Sequence, residues 1–375
     1  MTRVAIIGAG LAGLLTARLL HRAGVDCRVF EARNRIGGRM FTVTATGELS
    51  HNDGFDLGPS WFWPQMQPGM LELVRELGLS SFPQASDGDV LFERMSREGA
   101  QRFQGYPQEP QSFRFTGGAM ALARALAADI PPQSIYLNAK VSGATLSDRA
   151  VTLSITRPGE FAPEPDVHAE FVVAACPPRL LQHSVGFEPR LDEVTAQRWR
   201  DTPTWMAPHA KFVAVYDTPF WRHAGLSGTA QSMVGPMPEI HDATTASGHV
   251  ALFGFIGVSA EQRALLGESA LRDACVAQLV RLFGEHAAAP HATLLKDWAA
   301  DELTATELDQ VPGGHPVPSA TPWVTGPWAH RLIMAGSETS PSEPGYLAGA
   351  VTAAQLAAAT VLQRLRADDD AAGRS

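Results

Sequence analysis

Residues 3–13 of the chain read Arg-Val-Ala-Ile-Ile-Gly-Ala-Gly-Leu-Ala-Gly, an apolar run followed by three spaced glycines. The β-branched residues of 3–7 predict a buried parallel strand, and the apolar spacing of 11–23 predicts a helix that stops at Gly24. A second strand is predicted over 27–31. Strand, helix and strand in this order are typical of a right-handed βαβ unit. The start of the chain therefore predicts an α/β fold with a Rossmann-like domain.

The three glycines Gly8, Gly10 and Gly13 fit the pattern G-x-G-x-x-G where the predicted strand turns into the helix. In such a loop the first glycine permits a tight turn, the second lets a pyrophosphate approach the backbone, and the third lets the helix pack closely on the strand. Glu31, at the end of the second strand, can accept hydrogen bonds from the two hydroxyls of an adenosine ribose. The pattern predicts a dinucleotide site, and the alternative is a glycine-rich turn that binds nothing.

Composition and charge exclude several classes of protein. The 375 residues exceed the usual size of one core, so two domains are expected, and 45% hydrophobic with 18% charged residues is ordinary globular composition. Acidic residues outnumber basic ones, 39 to 30, and no basic stripe occurs, so nucleic acid is not an expected partner.

Targeting and metal signals are missing from the sequence. No apolar stretch is long enough for a membrane span and the first apolar run is too short for a signal peptide, which predicts a cytoplasmic protein. The three cysteines lack metal-ligand spacing, and none of the 12 histidines lies in a metal-binding pattern. We therefore expect no metal.

Five segments carry a resemblance to a known family. Residues 31–39, Glu-Ala-Arg-Asn-Arg-Ile-Gly-Gly-Arg, resemble the E-A-x-x-R-x-G-G-R segment of the flavin-containing amine oxidase family. Residues 55–61 and 172–178 resemble its D-x-G-x-x-W/Y and V-I-x-A-x-P-P segments, and residues 334–339 and 345–350 resemble its F-A-G-x-E-T and G-Y-x-x-G-A motifs. The resemblance implies an oxidoreductase of the monoamine oxidase type with FAD as cofactor.

The resemblance also implies which residues bind the flavin. A second glycine loop at 37–38 would approach the pyrophosphate, and Arg33 and Arg39 would add positive charge and planar donors. Glu307 stands where some relatives carry a flavin-linking cysteine, so FAD is expected to be non-covalent. The expected FAD-binding residues are Gly8, Gly10, Leu11, Ala12, Gly13, Glu31, Ala32, Arg33, Gly38, Arg39, Met40, Gly58, Pro59, Ser60, Trp61, Val141, Gly336, Glu338, Tyr346, Leu347 and Ala350.

Three residues are expected to be catalytic. Lys211 lies in an apolar strand, and its position resembles that of the family lysine that holds a water against flavin N5 during reoxidation; the alternative is a side chain that reaches solvent. Tyr346 is expected beside the flavin as a wall for the amine, or else at the start of a core helix. Trp298 is similar to the family tryptophan near the flavin, although an ordinary core tryptophan is the alternative.

The domain boundaries follow from where the α/β pattern stops and returns. We expect a second, substrate domain of mixed sheet plus helices over 69–112 and 200–304. The discontinuous FAD-binding domain would comprise 1–68, 113–199 and 305–367, with 368–375 as a disordered tail.

The sequence departs from the family where the substrate would bind. The usual first aromatic of a substrate cage falls near Leu308, and 69–111 is shorter than the helical insertion of larger relatives, so the cavity is expected to be more open or completed by another subunit. The favoured function is hydride transfer from a carbon next to nitrogen to flavin N5, with oxygen or another electron acceptor. Alternatives are a desaturase or isomerase acting on C–C bonds, and a non-catalytic flavoprotein bound to a partner.

Overall fold

The computed structural model describes residues 2–95, 97–148, 150–159, 166–311, 313–319 and 321–372. The strands are β1 (Thr2–Ile7), β2 (Cys27–Phe30), β3 (Thr42–Val43), β4 (Phe55–Asp56), β5 (Ser81–Pro83), β6 (Asp89–Glu93), β7 (Gln101–Phe103), β8 (Phe113–Phe115), β9 (Ile135–Tyr136), β10 (Lys140–Leu146), β11 (Val151–Thr156), β12 (Val167–Ala174), β13 (Gly186–Glu188), β14 (Ala210–Tyr216), β15 (Leu226–Ser232), β16 (Glu239–Asp242), β17 (Val250–Ile256), β18 (Ala292–Asp297) and β19 (Leu332–Met334). The helices are α1 (Leu11–Arg22), α2 (Pro68–Glu76), α3 (Met120–Ala128), α4 (Pro178–Ser184), α5 (Glu193–Asp201), α6 (Phe220–His223), α7 (Ala260–Leu266), α8 (Glu268–Phe283) and α9 (Leu347–Ala372).

The chain divides into two compact units. The first unit comprises Met1–Arg39, Leu122–Trp205 and Gly313–Ser375, and the second comprises Met40–Ala121 and Met206–Pro312. The sequence placed 40–68 with the FAD-binding domain, whereas β3 and β4 lie in the second unit. The reason is apolar packing, because Val43, Phe55 and Leu57 share a buried cluster with residues of β14 and β17.

The first unit is built on an eight-stranded sheet. Its parallel part has the strand order β9, β2, β1, β12, β19, with β1 in the centre. This is the order of a doubly wound Rossmann sheet. Strand β10 pairs with β11 and β11 with β12 in the antiparallel sense, which extends the sheet on one side. The predicted α/β, Rossmann-like fold class is confirmed.

The sequence of 135–141 on its own predicts one strand of this unit, but the structure divides it into two strands. Strand β9 ends at Tyr136 and β10 starts at Lys140, because Asn138 adopts a positive φ of 53° between them. Asparagine is one of the few residues that accept this left-handed conformation at low cost.

The C-terminal helix is longer than the sequence indicated. Helix α9 continues to Ala372, although a disordered tail was predicted from 368. Two ion pairs anchor this last part of the helix: Arg331 to Asp368 at 2.7 Å and Arg3 to Asp369 at 2.8 Å. Residues 373–375 of the predicted tail lie outside the described residues.

The second unit contains a seven-stranded sheet of order β18, β14, β17, β16, β15, β6, β7. Neighbouring strands are antiparallel except β15 and β6. Helix α8 covers one face, where Leu271, Cys275 and Leu279 share a core with β14 and β17. The opposite face carries Lys211 and an aromatic group, and it is the face on which the candidate catalytic residues of this unit lie.

Candidate active site

The glycine loop after β1 has the geometry that a dinucleotide requires. Gly8 has a φ of 99°, which favours glycine, and its N–H donates to the carbonyl of Phe30 at 2.8 Å. A Cβ on Gly13 would lie 1.9 Å from the carbonyl oxygen of Gly8, so only glycine lets α1 pack here. At Gly10 a Cβ would meet nothing within 4 Å, which leaves this backbone open to a ligand.

Glu31 connects the glycine loop to the loop after β2. Its carboxylate is buried, and its two oxygens accept the N–H groups of Ala9 at 2.7 Å and Arg33 at 2.9 Å. Each oxygen keeps a further lone pair that can accept a ribose hydroxyl. The carbonyl of Glu31 accepts the N–H of Ala139 at 2.8 Å, which holds the start of the strand bearing Val141 beside it.

The second glycine loop lies directly against the first. Gly37 donates its N–H to the carbonyl of Ala9 at 2.8 Å, and Gly37 and Gly10 form an isolated β-bridge. A Cβ on Gly38 would lie 3.3 Å from Cα of Gly10. The two loops therefore present adjacent backbone segments.

An ion pair between a buried carboxylate and a partly exposed guanidinium follows this loop. Arg39 donates from Nη1 to Glu338 Oε1 at 2.6 Å and from Nη2 to Oε2 at 3.1 Å, a two-point contact. The Glu338 side chain is fully buried, and Ser337 Oγ donates to it at 2.9 Å. This cluster brings together two predicted flavin-binding residues that are far apart in the sequence.

The residues of the first unit fit FAD. Backbone N–H groups at the start of α1 have no intrahelical acceptor and can bind a diphosphate, while Glu31 suits a ribose. The other residues predicted here for FAD are distributed around these loops and the start of α9: Leu11, Ala12, Ala32, Gly336, Leu347 and Ala350.

Tyr346 lies at the start of α9, where its carbonyl accepts the N–H of Ala350 at 3.0 Å. Tyr346 is 37% exposed, and its ring has two aromatic neighbours. The centroid of the His315 ring lies 5.0 Å from that of Tyr346, and the centroid of Trp205 lies 6.5 Å from it. The sequence did not indicate these two neighbours, because neither lies in a segment with a recognisable motif.

Lys211 is buried in the second unit, only 3% exposed. Its Nζ donates to the carbonyl of Gly58 at 3.1 Å and to Ser60 Oγ at 2.7 Å, and it lies 4.2 Å from the centroid of the Phe253 ring. The alternative in which this lysine reaches solvent is therefore wrong. The structure brings it to the Gly58–Trp61 segment, whose residues the family resemblance implies as FAD-binding.

Burial lowers the pKa of Lys211 to about 7, although Asp56 favours its charged form. Burial in turn raises the pKa of Asp56, whose carboxylate accepts Thr42 Oγ1 at 2.6 Å and the N–H of Ala119 at 2.9 Å. A lysine with a pKa near neutrality can both hold and release a proton under physiological conditions.

Two further predicted residues of the second unit, Trp298 and Met40, are buried as core residues are. Trp298 is 6% exposed, and its Nε1 donates to the carbonyl of Leu57 at 2.9 Å. Met40 is also buried, at 2% exposure, while Pro59 is partly exposed. Leu308, at the expected cage position, is 59% exposed.

The sheet face around Lys211 continues into residues that the sequence did not single out. Lys211 pairs across the sheet with Phe255, and Phe255 pairs with Glu239 on the next strand. The adjacent row runs through Phe253 to His241. Alternation along strands places residues two apart on one face, but only the strand pairing reveals that these rows align.

Within the described residues, no group of His, Cys, Asp or Glu side chains could hold a metal ion. Among the helices of that same part of the chain, none has the length and apolar character needed to cross a membrane.

Comparisons with known proteins agree with this geometry. The family model described as flavin containing amine oxidoreductase matches residues 11–115 and 91–362. The chain is 26% identical to the Mycobacterium tuberculosis protein provisionally named flavin-containing monoamine oxidase AofH, covering 96% of each chain. It is 24% identical to the putrescine oxidase of Kocuria rosea, covering 80% of this chain and 83% of that one.

The fold is also shared with a solved structure. The cyclohexylamine oxidase from Brevibacterium oxydans superposes with a TM-score of 0.79 at 23% identity, covering 97% of this chain and 99% of that one. The expected resemblance is confirmed: the chain is an FAD-dependent oxidoreductase and belongs to the flavin-containing amine oxidoreductase family.

Proposed function

We propose that this enzyme oxidises an amine at the carbon next to nitrogen. The C–H bond breaks with transfer of a hydride, the nitrogen lone pair forms the C=N bond of an imine, and water hydrolyses the imine to a carbonyl compound and the amine or ammonia. FAD, held non-covalently by the first unit, would supply the acceptor for the hydride at N5, and oxygen or another acceptor would take up both electrons.

The observation that carries this proposal is the environment of Lys211. Burying a lysine costs stability, and a lysine pKa lowered to near 7 is typical of a functional site. Its Nζ is held by Gly58 and Ser60, in the segment that resembles the family's flavin-facing loop. Lys211 would hold a water and donate a hydrogen bond where oxygen is reduced.

In this proposal the first unit binds the cofactor through backbone and carboxylate groups. Glu31 takes the ribose, the start of α1 takes the diphosphate, and the N–H groups at the start of α9 stabilise negative charge on the reduced ring. The ion pair of Arg39 and Glu338 joins the end of the second glycine loop to the segment after β19. The full set of proposed FAD-binding residues is the set expected from the sequence.

Tyr346 would contact the amine. An aromatic face attracts an ammonium group, and the neighbouring rings of His315 and Trp205 hold the tyrosine in place. Tyr346 therefore has aromatic neighbours, although the expected position of a cage aromatic is occupied by Leu308.

The test is anaerobic reduction of the holoenzyme by benzylamine and by its α-dideuterated form. Hydride transfer predicts a slower reduction with the deuterated amine, together with benzaldehyde and ammonia in amounts equal to the reduced flavin. Equal rates would place C–H cleavage outside the slow step, and an absence of reduction by benzylamine and by aliphatic amines would contradict the proposal.

A further inference from the structure

A histidine of the first unit has a buried ring nitrogen without a partner. His315 is half-buried, and its Nε2 is buried with no hydrogen-bond partner among the residues that the structure describes. Its Nδ1 lies 2.9 Å from the carbonyl oxygen of Pro316. A carbonyl oxygen can only accept, so Nδ1 carries the hydrogen and Nε2 carries the lone pair of the neutral imidazole. A buried acceptor in this state requires a donor that the described residues do not supply.

Neighbouring residues fix the position of His315. Pro316 restricts the backbone of the residue before it to extended conformations. Gly313 lies so close to Pro203 that a Cβ on the glycine would be 2.9 Å from Cβ of the proline. The ring of Trp205 contacts the imidazole edge-on, with 4.3 Å between the two centroids. The imidazole is therefore held in one place by its own segment and by the segment after α5.

The imidazole lies beside the tyrosine that is proposed to contact the amine. The ring centroids of His315 and Tyr346 are 5.0 Å apart. Trp205 packs on the residue before the tyrosine, since a Cβ on Gly345 would be 2.7 Å from Cβ of Trp205. All four residues belong to the first unit. A nitrogen bound at the face of Tyr346 is therefore close to an imidazole of the same unit.

The surroundings of His315 suit its protonated form as well as its neutral form. The two flanking aromatic rings can attract a positive imidazole by cation–π contact. The charged groups next to these rings are Glu343, three positions before the tyrosine, and Arg39, which donates to the carbonyl of Trp205 at 3.2 Å. The charge of Arg39 is compensated by its ion pair with Glu338. Uptake of a proton by His315 is therefore compatible with its neighbours.

Oxidation of an amine by hydride transfer needs a nitrogen lone pair. An alkyl amine is mostly an ammonium ion at neutral pH, and an ammonium nitrogen has no lone pair with which to form the C=N bond. Transfer of one ammonium proton to an imidazole gives the neutral amine and an imidazolium. When the hydride then leaves the neighbouring carbon for flavin N5, the lone pair forms the C=N bond of a protonated imine. The imidazolium afterwards returns its proton to solvent.

We propose that His315 is the base that takes the proton of the substrate ammonium. This inference rests on the proposed function and adds a catalytic residue to it. Tyr346 attracts the ammonium by its aromatic face, and Nε2 of His315 accepts one of the ammonium protons. The substrate thereby supplies the donor that the buried nitrogen lacks.

The test is the pH dependence of anaerobic flavin reduction by benzylamine in the holoenzyme. His315→Gln keeps a hydrogen-bond acceptor near the position of Nε2 but cannot take up the proton, and His315→Asn keeps an N–H donor near the position of Nδ1. At about pH 7 the second-order rate constant of both variants should be about 100-fold below that of the wild type. At about pH 10 much of the amine is already neutral in solution, so both variants should come within about threefold of the wild type.

The matched control is His183→Gln, which replaces an exposed histidine of the same unit on α4. It should leave the rate constant unchanged at both pH values. Flavin absorbance and thermal unfolding check that each variant is folded and loaded with FAD. A purely structural role of His315 would lower the rate constant by the same factor at every pH, because the protonation state of the amine would not affect the loss.

Two outcomes overturn the inference in distinguishable ways. A ratio of variant to wild-type rate constants that is the same at both pH values would refute proton transfer to His315 while leaving amine oxidation intact. Wild-type flavin that is reduced by no amine at either pH would overturn the proposed function itself, and the role of His315 with it.

Discussion

Lys211→Met tests the burial of this lysine through the pH dependence of stability. The pKa falls from its ordinary 10.5 to about 7 in the folded protein. This corresponds to about 5 kcal/mol, at about 1.4 kcal/mol for each pH unit. Between these two pH values Lys211 is protonated in the unfolded chain and neutral in the folded chain. The free energy of unfolding therefore rises with pH in this range, and the destabilisation that the charged lysine causes below about pH 7 is removed.

The expected result is a difference that grows with pH. The free energy of unfolding of the wild type minus that of Lys211→Met should rise by about 2 kcal/mol between about pH 7 and about pH 9. The assay is guanidinium denaturation of both holoenzymes with excess FAD, followed by fluorescence. Lys140→Met, at a partly exposed lysine, controls for the loss of a lysine in general. Parallel pH curves for the wild type and Lys211→Met would refute the lowered pKa.

Other substitutions test the flavin site and the catalytic groups. Gly13→Ala should destabilise the protein and abolish its colour, because the new Cβ would overlap the Gly8 carbonyl. Gly10→Ala should fold normally and lose FAD affinity, because a Cβ there meets no neighbour. Visible absorbance and thermal unfolding distinguish the two results. Glu338→Gln should destabilise the protein by about 3 kcal/mol, measured by chemical denaturation, because it leaves Arg39 without its counter-charge. Tyr346→Ala should lower kcat/KM for amines by about 10-fold while Tyr346→Phe retains it, because the aromatic face attracts the ammonium. Lys211→Met should slow reoxidation of the reduced enzyme by oxygen by roughly 100-fold without slowing reduction by amine, as measured by stopped-flow absorbance.

The first unit was largely predictable because its signals are local. The glycine spacing around Gly8 to Gly13 and the acid at Glu31 lie in one βαβ unit. The bounds of β1, α1 and β2 were each predicted to within one residue. The break at Asn138 was missed because apolar residues continue on both sides of this position, which is typical of one strand. The extension of α9 was missed because its anchors, Arg3 and Arg331, are distant in sequence.

The second unit was less predictable because its site depends on strand pairing. Lys211 stood out as a lysine among apolar residues, and its burial followed from that pattern. Its hydrogen-bond partners Gly58 and Ser60 are more than 150 positions away, and no local rule joins them. The same applies to Glu239 and His241, whose relation to Lys211 depends on the register of three strands.

The most direct test of amine oxidation by bound FAD is the visible spectrum of the purified protein before and after anaerobic addition of amines. Amine oxidation by non-covalently bound FAD predicts a yellow protein that releases all its FAD on denaturation and is bleached by an amine, with colour restored by air or an added acceptor. A colourless protein that takes up no FAD from excess, or bound FAD that stays oxidised with every amine, would contradict it.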